Sequence, residues 1–260
     1  MQRDPISIID AETAPSWLGE TRQLDITHPK VHITAQKLTQ ALQTFRERAV
    51  AIHDFVRRMP FAAIPDPGSI TASEVLRRGG GDCHTKGLVF VALCRAAGFP
   101  ARLMFVEVRT NFLRGVLSHG PQSMPHAVGQ VFVDGHWHST DGYVVDPLLF
   151  AQAKRQLRLH GLDSGWGIVN DAQPQWEGEK PCFQQFRSRD IRKTYGVFHD
   201  VAHFQAHHEQ AGQGWSHGIL YAIGARVLNR RVAQVRRLPA DTWRRAPAGV
   251  QGGAGVTLPL

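Results

Sequence analysis

Cys83 directly follows Gly79-Gly80-Gly81-Asp82 and precedes the apolar run Leu88 to Leu93. Three glycines let the backbone turn sharply and leave room for another group to approach. The apolar run predicts a central buried helix, hydrophobic nearly all round, closed by Gly98 with Pro100 forbidding continuation. A thiol at such a helix start lies against the positive end of the dipole and near free backbone N–H groups. Both effects favour the nucleophilic thiolate. The same N–H groups could bind an oxyanion formed beside the sulfur. Further on, His126 opens one predicted strand and Asp141 closes its hairpin partner, with Asp134-Gly135 as the turn signal between them. Residues on adjacent antiparallel strands can face one another. The imidazole could then donate one N–H to the carboxylate, which fixes its tautomer, while the other nitrogen serves the thiol. Cys83, His126 and Asp141 therefore have the types and order of a nucleophile, a base and an orienting acid.

Those three residues require a helix packed on a sheet. From Ile33, residues Leu38, Leu42, Phe45, Val50, Ile52 and Phe55 fit one or two amphipathic helices ending near Met59-Pro60. Thr44 with Glu47 and Thr71 with Glu74 have the spacing of capping boxes. The first would start a second helix, and the second a short helix that the glycines stop. After Pro100 the period changes to two, predicting a mostly buried strand over residues 103–108. Residues 110–125 read as a long polar loop, 126–133 as a second strand and 136–140 as its return. A helical pattern follows from Pro147 to Leu157, and two more helices are expected around 197–209 and 216–236. Residues 160–190 give no clear pattern.

This order predicts an α+β fold with segregated elements. An irregular segment over 1–32 would lead into one domain over 33–240, with its core at about 70–147 and C-terminal helices over 148–240. A Gly-rich flexible tail is expected over 241–260.

Composition narrows the function. At 42% hydrophobic and 20% charged residues, the chain has ordinary globular usage, which excludes general disorder. No run approaches the about 18 apolar residues of a membrane helix, so no membrane partner is expected. The N-terminus carries no apolar segment behind a basic tip, so no secretory signal is expected. Three Cys are too few for a disulfide scaffold and fit a reducing compartment, so a cytoplasmic location is expected. The net charge of +8 fits an Arg-rich surface or an acidic partner. Zinc-finger spacing, dense basic runs and aromatic–basic interleaving are missing, so nucleic acid is not the expected partner.

The remaining reactive side chains have plainer expected roles. Cys94 reads as core filler in mid-helix and Cys182 as incidental in a loop. His84, His136 and His138 are expected in solvent or in a groove. Asp146, before Pro147, reads as the cap of the next helix. Trp137 is expected to pack under the hairpin, with flanking of His126 as the alternative. His199, His203 and His207 are spaced by four, and two such His on a helix can chelate zinc. Asp200 and Glu209 could assist, but HExxH is absent and no further ligands can be named. No metal and no cofactor are therefore expected. A zinc protein built on these His is kept as a separate reading.

The run GGGDCHTKGLVFVALCRAAGFPAR resembles the nucleophile segment of the transglutaminase-like superfamily at Gly81, Cys83, Ala92-Leu93, Arg95, Gly98, Pro100, Ala101 and Arg102. The run HAVGQVFVDGHWHSTD resembles the family's second segment at His126, Asp134-Gly135, Trp137 and Asp141. The resemblance implies a papain-like core, a nucleophile helix on an antiparallel sheet, with helical extensions at both ends. It implies a Cys-His-Asp triad acting on a peptide or protein amide through a thioester. Cys83 would be the nucleophile, His126 the general base and then acid, and Asp141 the orienter. Hydrolysis is expected ahead of amine cross-linking, because no feature marks a water-excluding amine tunnel. The alternatives are a protein-glutamine transglutaminase and a catalytically silent binding module of the same fold. Two departures touch the substrate groove: Val128 stands where many members carry an aromatic residue, and Gln130 replaces a frequent Glu. The second oxyanion donor, which relatives often supply from an upstream side chain, has no counterpart identified by the sequence.

Overall fold

Every residue from Cys83 to Arg95 is buried, and the molecule is built around this helix. The computed structural model describes residues 14–117, 121–173, 175–210 and 218–238. Three helices come first and pack on the central one: α1 (Pro29–Thr39), α2 (Phe45–Arg58) and α3 (Ala72–Arg78) around α4 (Cys83–Ala96). Then follow β1 (Ala101–Arg109), β2 (Ser123–Val133), β3 (His136–Thr140) and α5 (Pro147–His160). A small ribbon of β4 (Ser164–Gly165) and β5 (Ile168–Val169) precedes β6 (Ile191–Phe198), α6 (Val201–Gln210) and α7 (Gly218–Arg236). The main sheet is antiparallel, in the order β3-β2-β1-β6. This is the expected α+β plan, with the helix of Cys83 lying on the sheet.

The packing explains the sequence pattern. Leu88, Val89, Phe90, Val91 and Leu93 of α4 are fully buried, and each such side chain contributes about 1.5–3 kcal/mol relative to exposure. Gly129 on β2 admits the helix, because a Cβ there would stand 2.6 Å from the Phe90 ring. On β1, Ala101, Leu103 and Phe105 join this core. The alternate residues Val106 and Val108 join Phe112, Val128 and Phe186 in a second cluster. The strand is thus apolar on both faces, which is why its sequence barely alternates.

Helix boundaries follow local chemistry. Both capping boxes form: Thr44 with Glu47 opens α2, and Thr71 with Glu74 opens α3. Gly79, in the left-handed region at φ 71°, ends α3. α1 begins earlier than the hydrophobic period indicates, because Pro29 takes its first turn and His28 caps it.

Three stretches differ from expectation. Within the predicted polar loop, Thr110–Leu113 forms a 3-10 turn that buries Phe112, and β2 starts at Ser123, not His126. The predicted helix around 197–209 is the end of a strand followed by a later helix, since β6 runs to Phe198 and α6 starts at Val201. β6 lacks clean alternation because its pairing with β1 shifts register twice and Gly196 sits at φ 117°. The N-terminal residues 1–13 and the tail expected over 241–260 lie outside the described residues. Among the described residues no helix is long and apolar enough to cross a membrane.

The last helix ties the front of the molecule together. Arg236 donates to Asp146 Oδ2 at 2.5 Å and to the Phe61 carbonyl at 2.9 Å. Asn229 exchanges hydrogen bonds with the N–H and carbonyl of Ala63. The segment so held reaches the start of α4, where the Ile64 N–H donates to Asp82 Oδ2 at 3.1 Å.

Candidate active site

Asp82 starts the helix that carries the thiol. Its Oδ1 accepts the His84 N–H at 3.1 Å and the Thr85 N–H at 3.0 Å, while Thr85 Oγ1 accepts the Asp82 N–H at 2.9 Å. Gly81 is required beside this box, because a Cβ there would lie 2.5 Å from Thr85 Oγ1. The first-turn N–H groups of α4 are expected from the sequence to be free for an oxyanion. Those of His84 and Thr85 are instead occupied by the Asp82 cap.

Cys83 is buried, with 8% of its surface exposed, and its Sγ lies 3.4 Å from His84 Nδ1. His84 was expected in solvent or a groove, but it is 1% exposed and its ring is tilted against Phe105, 5.8 Å between centroids. Burial opposes ionisation of the Cys83 thiol, yet the positive charges of His84 and His126 outweigh it and bring the thiol down to about 6. The other two thiols behave oppositely. Burial pushes Cys182 up to about 12 and Cys94 well above the ordinary range. Cys94 is therefore the core filler the sequence predicts.

His126 is the fourth residue of β2 and pairs with Val106 of β1. The β2–β3 ladder ends at Gly129 and Thr140. His126 and Asp141 thus meet beyond the ladder, not across it. After Thr140 the chain turns, and the Asp141 and Gly142 N–H groups donate to the Cys182 carbonyl at 3.0 and 3.2 Å. This turn brings Asp141 Oδ2 within 3.0 Å of His126 Nε2, with both side chains buried. The same carboxylate accepts the Gln184 N–H at 2.5 Å and the Gln185 N–H at 3.4 Å. Burial disfavours the charged imidazole of His126, but the Cys83 thiolate and Asp141 overcome it and raise its pKa to about 10. The Phe186 ring abuts the imidazole edge-on, 5.2 Å between centroids.

Lys86 lies one turn along α4 from Cys83 and is fully buried. Its Nζ donates to the carbonyls of Met59 at 2.8 Å, Val144 at 3.0 Å and Arg57 at 3.4 Å. Burial brings the ammonium down to about 7. The lysine fastens α2 and the segment after Asp141 to the nucleophile helix. Asp146 caps α5 through the Leu149 N–H at 3.1 Å, as expected. Neither Lys86 nor residues 183–186 were singled out in the sequence. A lone Lys in an otherwise apolar helix was a readable signal, whereas backbone N–H donors leave none.

Residues 33–142 match the family model described as the transglutaminase-like superfamily. The matched segment contains Cys83, His126 and Asp141. No curated protein matches the chain. Among solved structures, one described as a putative cysteine protease from Cytophaga hutchinsonii is similar, at 15% identity and a TM-score of 0.46. The similarity covers 76% of this chain and 51% of that one, so the chain spans about half its length. A second, described as a putative protease from Parabacteroides distasonis, shows 18% identity and a TM-score of 0.33, covering 51% of this chain and 26% of that one.

Of the two departures from the family pattern, Gln130 has a local explanation. Gln130 Oε1 accepts from Arg102 Nε at 2.7 Å, and its Nε2 donates to Ser139 Oγ at 2.9 Å. Gln130 thus still receives the Arg102 side chain. Trp137 packs against Phe132 and lies under the Arg102 guanidinium at 3.8 Å; Phe186, not Trp137, flanks His126. His136 is exposed, and His138 contacts the carbonyls of Glu179 and Val133. His199 and His203 of the C-terminal region have their rings 5.8 Å apart between centroids but have separate polar partners. His199 precedes α6 and accepts from Arg95 at 3.2 Å, and His203 meets Asp200 at 2.8 Å. Among the described residues no group of three such side chains could hold a metal ion.

His84 offers a direct test of the thiol's environment. In His84→Ala the Cys83 pKa is expected to rise toward the ordinary 8.5, since the leading stabilising charge is lost. Each unit of rise costs about tenfold in thiolate below the pKa. The pH dependence of Cys83 alkylation, followed by mass spectrometry, reads this directly. An unchanged titration would remove His84 from the site.

Proposed function

We propose that the protein is a cysteine-dependent hydrolase of peptide or protein amides, with Cys83 as nucleophile, His126 as general acid and base, and Asp141 as orienter. The observation that carries this reading is the engagement of His126 Nε2 by Asp141. It leaves Nδ1 for the thiol, whose pKa the two neighbouring imidazoles depress. The family of residues 33–142 supports the same class of chemistry.

In the first half-reaction the Cys83 thiolate attacks the amide carbonyl carbon. A C–S bond forms and the carbonyl electron pair moves to oxygen. The Cys83 N–H, at the positive end of α4, is the proposed donor to that oxyanion. As the oxyanion collapses, His126 gives its Nδ1 proton to the leaving amine and the C–N bond breaks. The products are a thioester and a neutral imidazole. Water then attacks the thioester, its proton passing to His126, and the thiolate leaves with the acid as second product. A thiolate of this kind fits the reducing cytoplasm.

The pH profile tests the pairing. Below about 6 the Cys83 thiolate takes up a proton and the nucleophile is lost. Above about 10 His126 loses the proton that the leaving amine needs. The expected kcat/KM therefore rises through the first value, stays level between them and falls through the second. Fluorogenic peptide amides would supply the rate, and iodoacetamide the titration of Cys83. Alkylation that follows an ordinary thiol titration, with no amide turned over, would replace this reading by the silent binding module. Adding a primary amine separates the alternatives: cross-linked product would indicate a transglutaminase.

A further inference from the structure

The surface next to His126 is rich in arginine. β1 ends at Arg109, three register positions beyond Val106, the partner of His126. At about 3.3 Å per residue this is about 10 Å along the strand. From the other side, Phe186 touches the His126 ring and the chain continues into Arg187. Between these approaches lies an open groove of about 340 Å³, with Arg109, Arg114, Arg187 and Arg189 in its walls. It shares Arg109 with a neighbouring depression of about 480 Å³ that includes Arg192. It also shares Arg187 and Arg189 with a third groove, of about 790 Å³, which reaches Phe186 and Cys182. The three depressions are therefore linked through common residues, and the third is lined by Phe186, which abuts His126, and by Cys182, whose carbonyl holds the turn at Asp141.

The charges in this channel are largely uncommitted. Arg187 is paired with Asp171 at 2.5 Å. Arg109, Arg114, Arg189 and Arg192 are exposed and make no ion pair among the described residues. Asp190 is occupied by the Arg187 N–H at 2.9 Å. Guanidinium groups present rigid forks that match carboxylates in a bidentate manner.

We propose that the groove and the depression at Arg192 bind an acidic stretch of the peptide substrate, its carboxylate side chains flanking the amide delivered to Cys83. The proposal rests on the reading of Cys83 as nucleophile and names the substrate class of that site. Two features favour a peptide over nucleic acid. Neither the groove nor the depression at Arg192 has an aromatic side chain in its described walls on which a base could stack. Asp163 and Asp190 stand in the groove wall, where they would repel a continuous phosphate chain but leave room for spaced carboxylates.

Fluorescence anisotropy on full-length Cys83→Ala protein tests binding apart from chemistry. The probes are a labelled alternating Glu-Ala peptide, its Gln-Ala counterpart and labelled oligothymidylate. The Glu-Ala peptide should bind, weaken with salt and lose about tenfold or more in affinity when Arg109→Glu and Arg189→Glu are combined. A second pair, Arg114→Glu with Arg192→Glu, should act in the same direction. Equal binding of the Gln-Ala peptide, or unchanged affinity in both pairs while the fold is retained, would overturn the proposal. So would tighter binding of oligothymidylate at the same salt. Alkylation of Cys83 in the otherwise unaltered protein is read separately. An ordinary thiol titration there would remove the nucleophile without touching the binding result.

Discussion

Cys83→Ala will fold as the parent does and turn over no amide. The side chain is small and nearly enclosed, so its truncation leaves a minor cavity costing on the order of 1 kcal/mol. The chemical loss is far larger. Without sulfur no thioester can form, and loss of a nucleophile costs on the order of 10⁴ to 10⁶ in kcat. A second signature goes with it. The Cys83 thiolate is the leading influence raising His126, so the imidazole should titrate at lower pH in the variant. NMR of the ring protons would follow that titration. Turnover retained within a factor of about ten would assign the chemistry to another residue.

Asp141→Asn should come next in magnitude. The carboxylate accepts three N–H groups: His126 Nε2–H, Gln184 N–H and Gln185 N–H. An amide has one oxygen and one donating NH₂ group. If its oxygen stays with the Gln184 N–H, the NH₂ faces His126 and the Gln185 N–H and forces Nε2 to accept. The ring proton must then sit on Nδ1, toward the thiol, and a neutral imidazole in that tautomer cannot act as base. If the amide flips, the NH₂ group opposes the Gln184 N–H. Either way a loss of about 10⁴ in kcat is expected, with the fold retained. The Cys83 thiol should also titrate higher, because the imidazolium that supports its thiolate is weakened. Activity within about tenfold of the parent would remove Asp141 from the proposed triad.

Much of the site was legible because its signals are local. The position of Cys83 follows from glycines, a capping Asp and an apolar run within a few residues of one another. The hairpin carrying His126 and Asp141 follows from alternation and one turn dipeptide. Other parts depend on contacts distant in sequence. The donors to Asp141 are backbone groups 43 and 44 residues away. Nearly any residue could supply them, so side-chain identity carries no trace. His84 was misplaced because helix starts are often exposed, whereas here the Phe61–Ile64 segment and the sheet cover this one. β6 was missed because bulges and Gly196 break the alternation that marks a strand.

The distance between Asp141 and its backbone donors also orders assembly in time. The nucleophile helix and the hairpin can each form from near neighbours in the chain, but bringing Cys83 to His126 spans 43 residues. Holding Asp141 in place requires closing a loop of 43 residues, including α5 and the small ribbon. Closure entropy must be met before such distant contacts repay it, so they form late. A partly folded chain would therefore carry its thiol apart from an imidazole held by Asp141. Hydrolytic competence would be among the last properties the chain acquires, limiting attack on neighbouring amides while it is still folding.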